Sequence, residues 1–253
     1  MVWHLATAVA AGFYGVLAGL LVPEIIRRIP EPEAEPGDAH GSHAGSEAGQ
    51  AHAGEAPPRE AKEAYADIAR VRGLRTGAAL ATGAVAALLG ARVGWRPELS
   101  FLLYLAPVGV ALAVIDWRTR LLPTRLIAPS YGVVAVLAVL SAWADRDWHA
   151  LETAGWGWLV SGGTFLLLWL VYPRGMGYGD VRLSGVLGIA LGYLGWAPML
   201  TGVYAGFLLG GFGGLLLSLL RVVDRKAYPF GPFMLLGALA GVLLGPYVAA
   251  WYG

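Results

Sequence analysis

The sequence predicts an all-α polytopic membrane protein of about eight transmembrane helices with both termini outside, and three observations predict it. Composition is the first: 57% hydrophobic and 14% charged residues, with a mean hydropathy of +0.60, lie outside the range of soluble globular domains. Second, the apolar residues gather into runs of about 17–22, the length a bilayer core demands of a helix, near 5–24, 76–92, 99–117, 126–144, 155–172, 180–197, 199–220 and 232–252. Third, fifteen of the 18 Lys and Arg fall in alternate connections, as positively charged cytoplasmic loops do, and deleting any one span would scramble that asymmetry. The chain has no Cys, which excludes disulfides and thiol-ligated zinc.

Taken in order, residues 1–26 hold the first membrane helix. No basic residue precedes its apolar run and Arg27 and Arg28 follow it, the reverse of a secretory signal, so it reads as a retained span. Residues 27–75 form a cytoplasmic loop. From Glu31 to about Arg59 it is Glu, Pro, Ala, Gly, Ser and His, which bury too little surface to offset the entropy of ordering, so disorder is predicted. His40, His43 and His52 lie there without Cys or a fixed scaffold and read as solvated linker, not as a metal site. Over 58–73, good helix formers with closely spaced Glu and Lys predict a helix lying at the membrane surface. Residues 76–253 make a seven-helix membrane core, in which the junction near Pro198 permits two helices or one kinked one. Tryptophans near span ends, such as Trp95, Trp143, Trp156, Trp196 and Trp251, read as interfacial anchors.

Within that core the stretch Arg174-Gly-Met-Gly-Tyr-Gly-Asp-Val-Arg-Leu183 places Asp180 at the start of an apolar helix. A carboxylate at a membrane boundary is costly to remove from water and is a functional candidate by default. Gly175, Gly177 and Gly179 lead into it and allow another chain to come close. Gly-x-Gly-Asp alone is a weak signal in a chain with 37 Gly, so position carries the inference. Asp116 closes the third span, two crossings earlier. An even number of crossings returns the chain to the same face, so both carboxylates are expected on the cytoplasmic side at similar depth. Two carboxyl groups close together share a proton, which makes one a base toward water and the other an acid toward a carbonyl, the chemistry of aspartic proteolysis. A structural reading stands beside this one: either Asp is a helix cap, or the partner of Arg118, Arg120, Arg174 or Arg182. Asp145, Asp147 and Asp224 read as solvated.

Asp116 with Pro123 seven positions later, Gly177-Tyr-Gly-Asp-Val-Arg-Leu183, Leu187-Gly188, the run from Gly15 to Arg28-Ile-Pro30, and Pro229-Phe-Gly-Pro-Phe233 together resemble the type IV prepilin peptidases, bacterial Gly-x-Gly-Asp aspartic proteases. That resemblance implies an aspartic endopeptidase of the plasma (inner) membrane. It would remove the short basic leader of type IV prepilin or pseudopilin precursors at the cytoplasmic face, next to a glycine and just before the precursor's apolar helix. It implies Asp116 and Asp180 as the catalytic pair and Gly177, Tyr178, Gly179 and Pro123 as substrate-binding residues. No metal or organic cofactor is implied for proteolysis. The family's bifunctional members carry Cys-x-x-Cys pairs in the first loop and methylate the new amino terminus with S-adenosylmethionine; this loop has no Cys, which removes that motif's zinc. Thr124 stands where Asn or Asp is usual and Arg182 where Lys is usual. The partners expected are the precursor and the lipid bilayer, not nucleic acid. Two alternatives use the same residues: a proton-coupled membrane transporter, which calls for broken helices at the bilayer midplane, and an inactive pilus or secretion assembly factor. His4 and His149 fall on the predicted exterior side, away from the glycine loop, which sets aside a Ser/His protease.

Overall fold

A computed structural model of the chain describes residues 3–30, 64–173, 176–220 and 229–252. The described residues form helices and connections. In order these are α1 (Leu5–Gly19), α2 (Val22–Arg27), α3 (Tyr65–Ala69), α4 (Leu74–Val93), α5 (Leu99–Thr119) and α6 (Thr124–Asp145). Next come α7 (Trp148–Gly157), joined by a π-helical turn over Trp158–Gly162 to α8 (Gly163–Val171), then α9 (Tyr178–Tyr193), α10 (Trp196–Leu219) and α11 (Gly231–Tyr252). Each predicted apolar run falls on one of these helical stretches. Among the described residues six stretches are long and apolar enough to cross a membrane: Leu5–Arg27, α4, α5, α6, Trp148–Val171 and Gly231–Trp251.

Helix α9 is different in kind. Its 16 residues rise about 24 Å, short of a ~30 Å hydrocarbon core, and twelve of them are buried. It is the interior post against which α6, α7, α8, α10 and α11 pack. The chain leaves it through Gly195 at φ +113°, a left-handed turn that a side chain would strain, so the Pro198 junction is two helices.

Close approach between helices comes from small residues spaced four apart. The buried face of α1 is Thr7, Ala11, Gly15 and Gly19, and it lies on Ala78, Thr82, Ala86 and Gly90 of α4. A Cβ on Gly15 would sit 2.6 Å from the Thr82 carbonyl oxygen, so the helices meet backbone to backbone. In lipid, where burying apolar surface gives no advantage, such packing is what holds helices together. Two further pairs repeat the device. Gly157 of α7 meets Gly188 and Gly192 of α9, and Gly202 and Gly206 of α10 meet Gly237 and Gly241 of α11. Beside the first of these, the Ser161 hydroxyl in the π-helical turn donates to the Ser184 carbonyl at 3.0 Å.

The predicted disordered segment and its histidines, His40, His43 and His52, lie outside the described residues, as does the first part of the helix predicted over 58–73. What the structure describes of that helix is α3. Its Tyr65 and Ile68 are buried against Val22, Ile26 and Ile29 and against Ala111 and Ile115 of α5.

Candidate active site

Helix α5 ends in a turn that fixes Asp116. Arg120 adopts the left-handed conformation (φ 55°) and its N–H donates to the Asp116 carbonyl at 2.8 Å, while the Thr119 hydroxyl donates back to the Ile115 carbonyl at 2.9 Å. The chain then runs through Leu122 to Pro123, whose extended backbone and fixed φ start α6, its carbonyl accepting from Leu126 and Ile127. Asp116 is 5% exposed. Its Oδ2 accepts the backbone N–H of Gly231 at 2.8 Å across 115 positions of sequence. Gly231 opens α11, so this amide is one of the donors a helix start leaves unused, and a carboxylate is its natural partner. A Cβ on Gly231 would stand 2.8 Å from that same oxygen, which is why a glycine brings the helix there.

Asp180 sits in the first turn of α9, 7% exposed, and folds back on its own entrance. Its Oδ2 accepts the Gly177 N–H at 3.1 Å while its own N–H donates to the Gly177 carbonyl at 3.0 Å, so the Asp does serve as a cap through one oxygen. Leu122 lies between the two halves. A Cβ on Gly179 would come within 2.7 Å of the Leu122 Cβ, and one on Gly231 within 3.3 Å of the Leu122 Cδ2. Around this one side chain the glycine loop of Asp180 and the glycine that holds Asp116 close together.

Of the residues singled out from sequence, Asp116, Asp180, Gly177 and Gly179 gather here, and Pro123 adjoins them through Leu122. Tyr178 is 45% exposed at the rim, its ring 5.1 Å from that of Trp169 and under the Arg182 guanidinium at 4.5 Å. Arg182 also donates to the Thr124 hydroxyl, and the Tyr131 hydroxyl donates to its carbonyl at 2.7 Å. Arg182 therefore ties α9 to α6 and the rim aromatic. Arg174 lies outside the described residues. Gly231 and Leu122 were not read as site residues; the signal for Gly231 was a glycine directly before Pro232 at the head of an apolar run, the pattern of a helix start with free amides. Among the described residues no cluster of three His, Asp or Glu stands ready for a metal ion.

Residues 103–245, more than half of the chain and including both carboxylates, Gly177, Gly179 and Gly231, match the type IV leader peptidase family. The chain belongs to that family. Among its relatives is the prepilin leader peptidase/N-methyltransferase of Aeromonas hydrophila, 32% identical over 168 residues, which cover 63% of this chain and 53% of that protein. The protein of the same description from Escherichia coli K12 is 34% identical over 137 residues, 51% of this chain and 56% of that one. Leader peptidase HopD of Salmonella typhimurium is 31% identical over 160 residues, 58% of this chain and 92% of that one. The chain thus spans little more than half the length of the two longer relatives. No solved structure matches it.

Proposed function

We propose that this member of the type IV leader peptidase family is an aspartic endopeptidase that removes the leader of type IV prepilin or pseudopilin precursors, with Asp116 and Asp180 as the catalytic pair. One observation supports this above the rest: two buried carboxyl groups, from helices of opposite direction, each with Oδ2 anchored by the amide of a glycine, on either side of the Leu122 side chain that packs against Gly179 and Gly231. Anchoring by backbone fixes orientation without neutralising the group, which is what a general acid and a general base require.

In the reaction, one carboxylate takes a proton from water as the water oxygen bonds to the scissile carbonyl carbon. The other, protonated, gives its proton to the carbonyl oxygen. Collapse of the resulting diol breaks the C–N bond, and a proton passed to the nitrogen leaves a carboxyl group on the leader and a free amine on the product. Gly177 and Gly179 let the loop close against Asp180 and Leu122 where a side chain would not fit, and Tyr178 and Pro123 flank the pair. The distribution of Lys and Arg supports a cytoplasmic setting for this end of the bundle, at the inner membrane. A midplane proton relay fits less well, since Asp116 is in the last turn of α5 and Asp180 in the first turn of α9. Only peptidase activity is extended to this chain: the relative that it covers over 92% of its length is described as a leader peptidase alone, and the chain lacks Cys.

The test is cleavage of a purified prepilin-like precursor in detergent, with products weighed by mass spectrometry in the presence of S-adenosylmethionine. Wild type is expected to remove the leader, and Asp116→Asn and Asp180→Asn each to lose about 10²–10⁴-fold in rate. Retention of activity by both variants would reject the pair.

A further inference from the structure

The structure contains a cavity of about 310 Å³ between α4, α5, α9 and α11. Every residue that lines it is apolar, so nothing in it can receive a charged or strongly polar group without loss. It begins under the carboxylates. Ala113 lies one turn before Asp116 on α5, Leu187 two turns after Asp180 on α9, and Pro232 directly after the glycine whose amide holds Asp116. From there it follows α5 to Leu102, a distance of about 16 Å, or roughly half a hydrocarbon core. Its inner wall is buried, while Leu236 on α11 and Ala81 on α4 are exposed, so it opens sideways between these two helices where lipid would lie.

We propose that this cavity is a docking subsite for the apolar membrane-embedded segment that continues from the scissile bond, and that it takes a stripe of that segment's side chains. This rests on the peptidase reading above. A chain cut at the two carboxylates must leave them in two directions, one toward water and one into the bundle. Only apolar side chains suit the second, and a segment already in the bilayer enters through the gap between α4 and α11 without crossing water. The volume sets the scale: it is about twice that of a ~150 Å³ apolar cavity that takes benzene, so it holds two or three large side chains and not a whole helix. Residues at i, i+3 or i+4, and i+7 of a helix span about 10 Å, which fits the length available.

The experiment uses the full chain in nanodiscs and two substrates: a prepilin-like precursor that keeps its apolar helix, and a peptide crossing the same bond that ends five residues beyond it. Ala238→Phe fills the cavity and Ala81→Phe closes its mouth from the lipid side; neither residue is in the catalytic group. Both variants are expected to lower kcat/KM for the precursor at least tenfold, through KM, and to leave the short peptide within twofold of wild type. An unchanged precursor rate, or equal loss on both substrates, overturns the docking site while the peptidase reading stands. Wild type that cuts neither substrate sinks the peptidase reading itself, and docking with it. Independently, a photo-crosslinking residue at Leu236 in an Asp180→Asn chain is expected to capture the precursor, and capture of lipid alone overturns the proposal.

Discussion

At the scale of single residues, the site depends on atoms that a side chain would displace. Gly179 has the Leu122 Cβ 2.7 Å from where its own Cβ would be, so Gly179→Ala must push Leu122 away from the glycine that holds Asp116. That variant is expected to lose roughly tenfold or more in kcat, and Leu122→Gly in the same chain, which removes the Cβ that the new methyl group meets, to recover part of it. The pair in contact should couple in a double-mutant cycle, and strict additivity would reject the wedge role of Leu122. At the opposite end of the bundle, Glu98 is buried before α5 with Arg96 bonded to one oxygen at 2.7 Å, and burial pushes its carboxyl above the ordinary carboxylate range. A raised value means that the folded protein holds the proton more tightly than the unfolded chain. Stability is then highest below the ordinary value near 4.5 and falls as pH rises through the raised one. Glu98→Gln is expected to flatten that fall in a Tm-against-pH series, and a wild-type profile identical to the variant's would contradict it. The two Asp were legible from sequence because a carboxylate beside an apolar run is rare. Gly231 was not, because the bond that gives it a role joins residues 115 positions apart.

Elements show where run length informs and where it is silent. A run of apolar residues predicts a helix because the bilayer sets its length, and each of the eight runs marks a helical stretch. The same composition cannot tell a helix facing lipid from one facing protein, since both want apolar side chains, and so the central position of α9 was not legible. Spacing of small residues carries that second message. Thr7, Ala11, Gly15 and Gly19 recur every fourth position and predict a contact face once it is asked which helix can be approached closely. Gly15→Val places methyl groups into the Thr82 carbonyl and is expected to cost about 1–3 kcal/mol, seen as a lower Tm of the purified protein. Gly77→Val on α4, whose Cβ would meet nothing within 4 Å, is the matched control and should leave Tm unchanged or slightly raised. A comparable loss at both positions would mean that the effect is general to Val in these helices and not the closure of a packed seam.

For the whole molecule, direction in the membrane decides whether the chemistry is on the right side. The His4 N–H donates to the Ala91 carbonyl at 2.9 Å, which puts the start of α1 beside the end of α4. Helix α11 starts against Asp116 and runs away from it for 22 residues, so both described ends of the chain lie at the face opposite the carboxylates. The structure thus relates the faces to one another, and the proposal that the carboxylate face is the cytoplasmic one rests on the Lys and Arg distribution. Because the chain has no Cys, the assignment can be read without background. His149 and Arg125 are both exposed, one beyond the start of α7 and the other in the first turn of α6 near the site. In intact cells a membrane-impermeant maleimide is expected to label His149→Cys, and to label Arg125→Cys only after the membrane is opened. The reverse pattern would put Asp116 and Asp180 outside. A leader with basic residues would then have to cross the membrane before it was cut, against both the bilayer's cost for charge and the potential that retains positive segments in the cytoplasm, and the proposed cleavage would lose its physical basis.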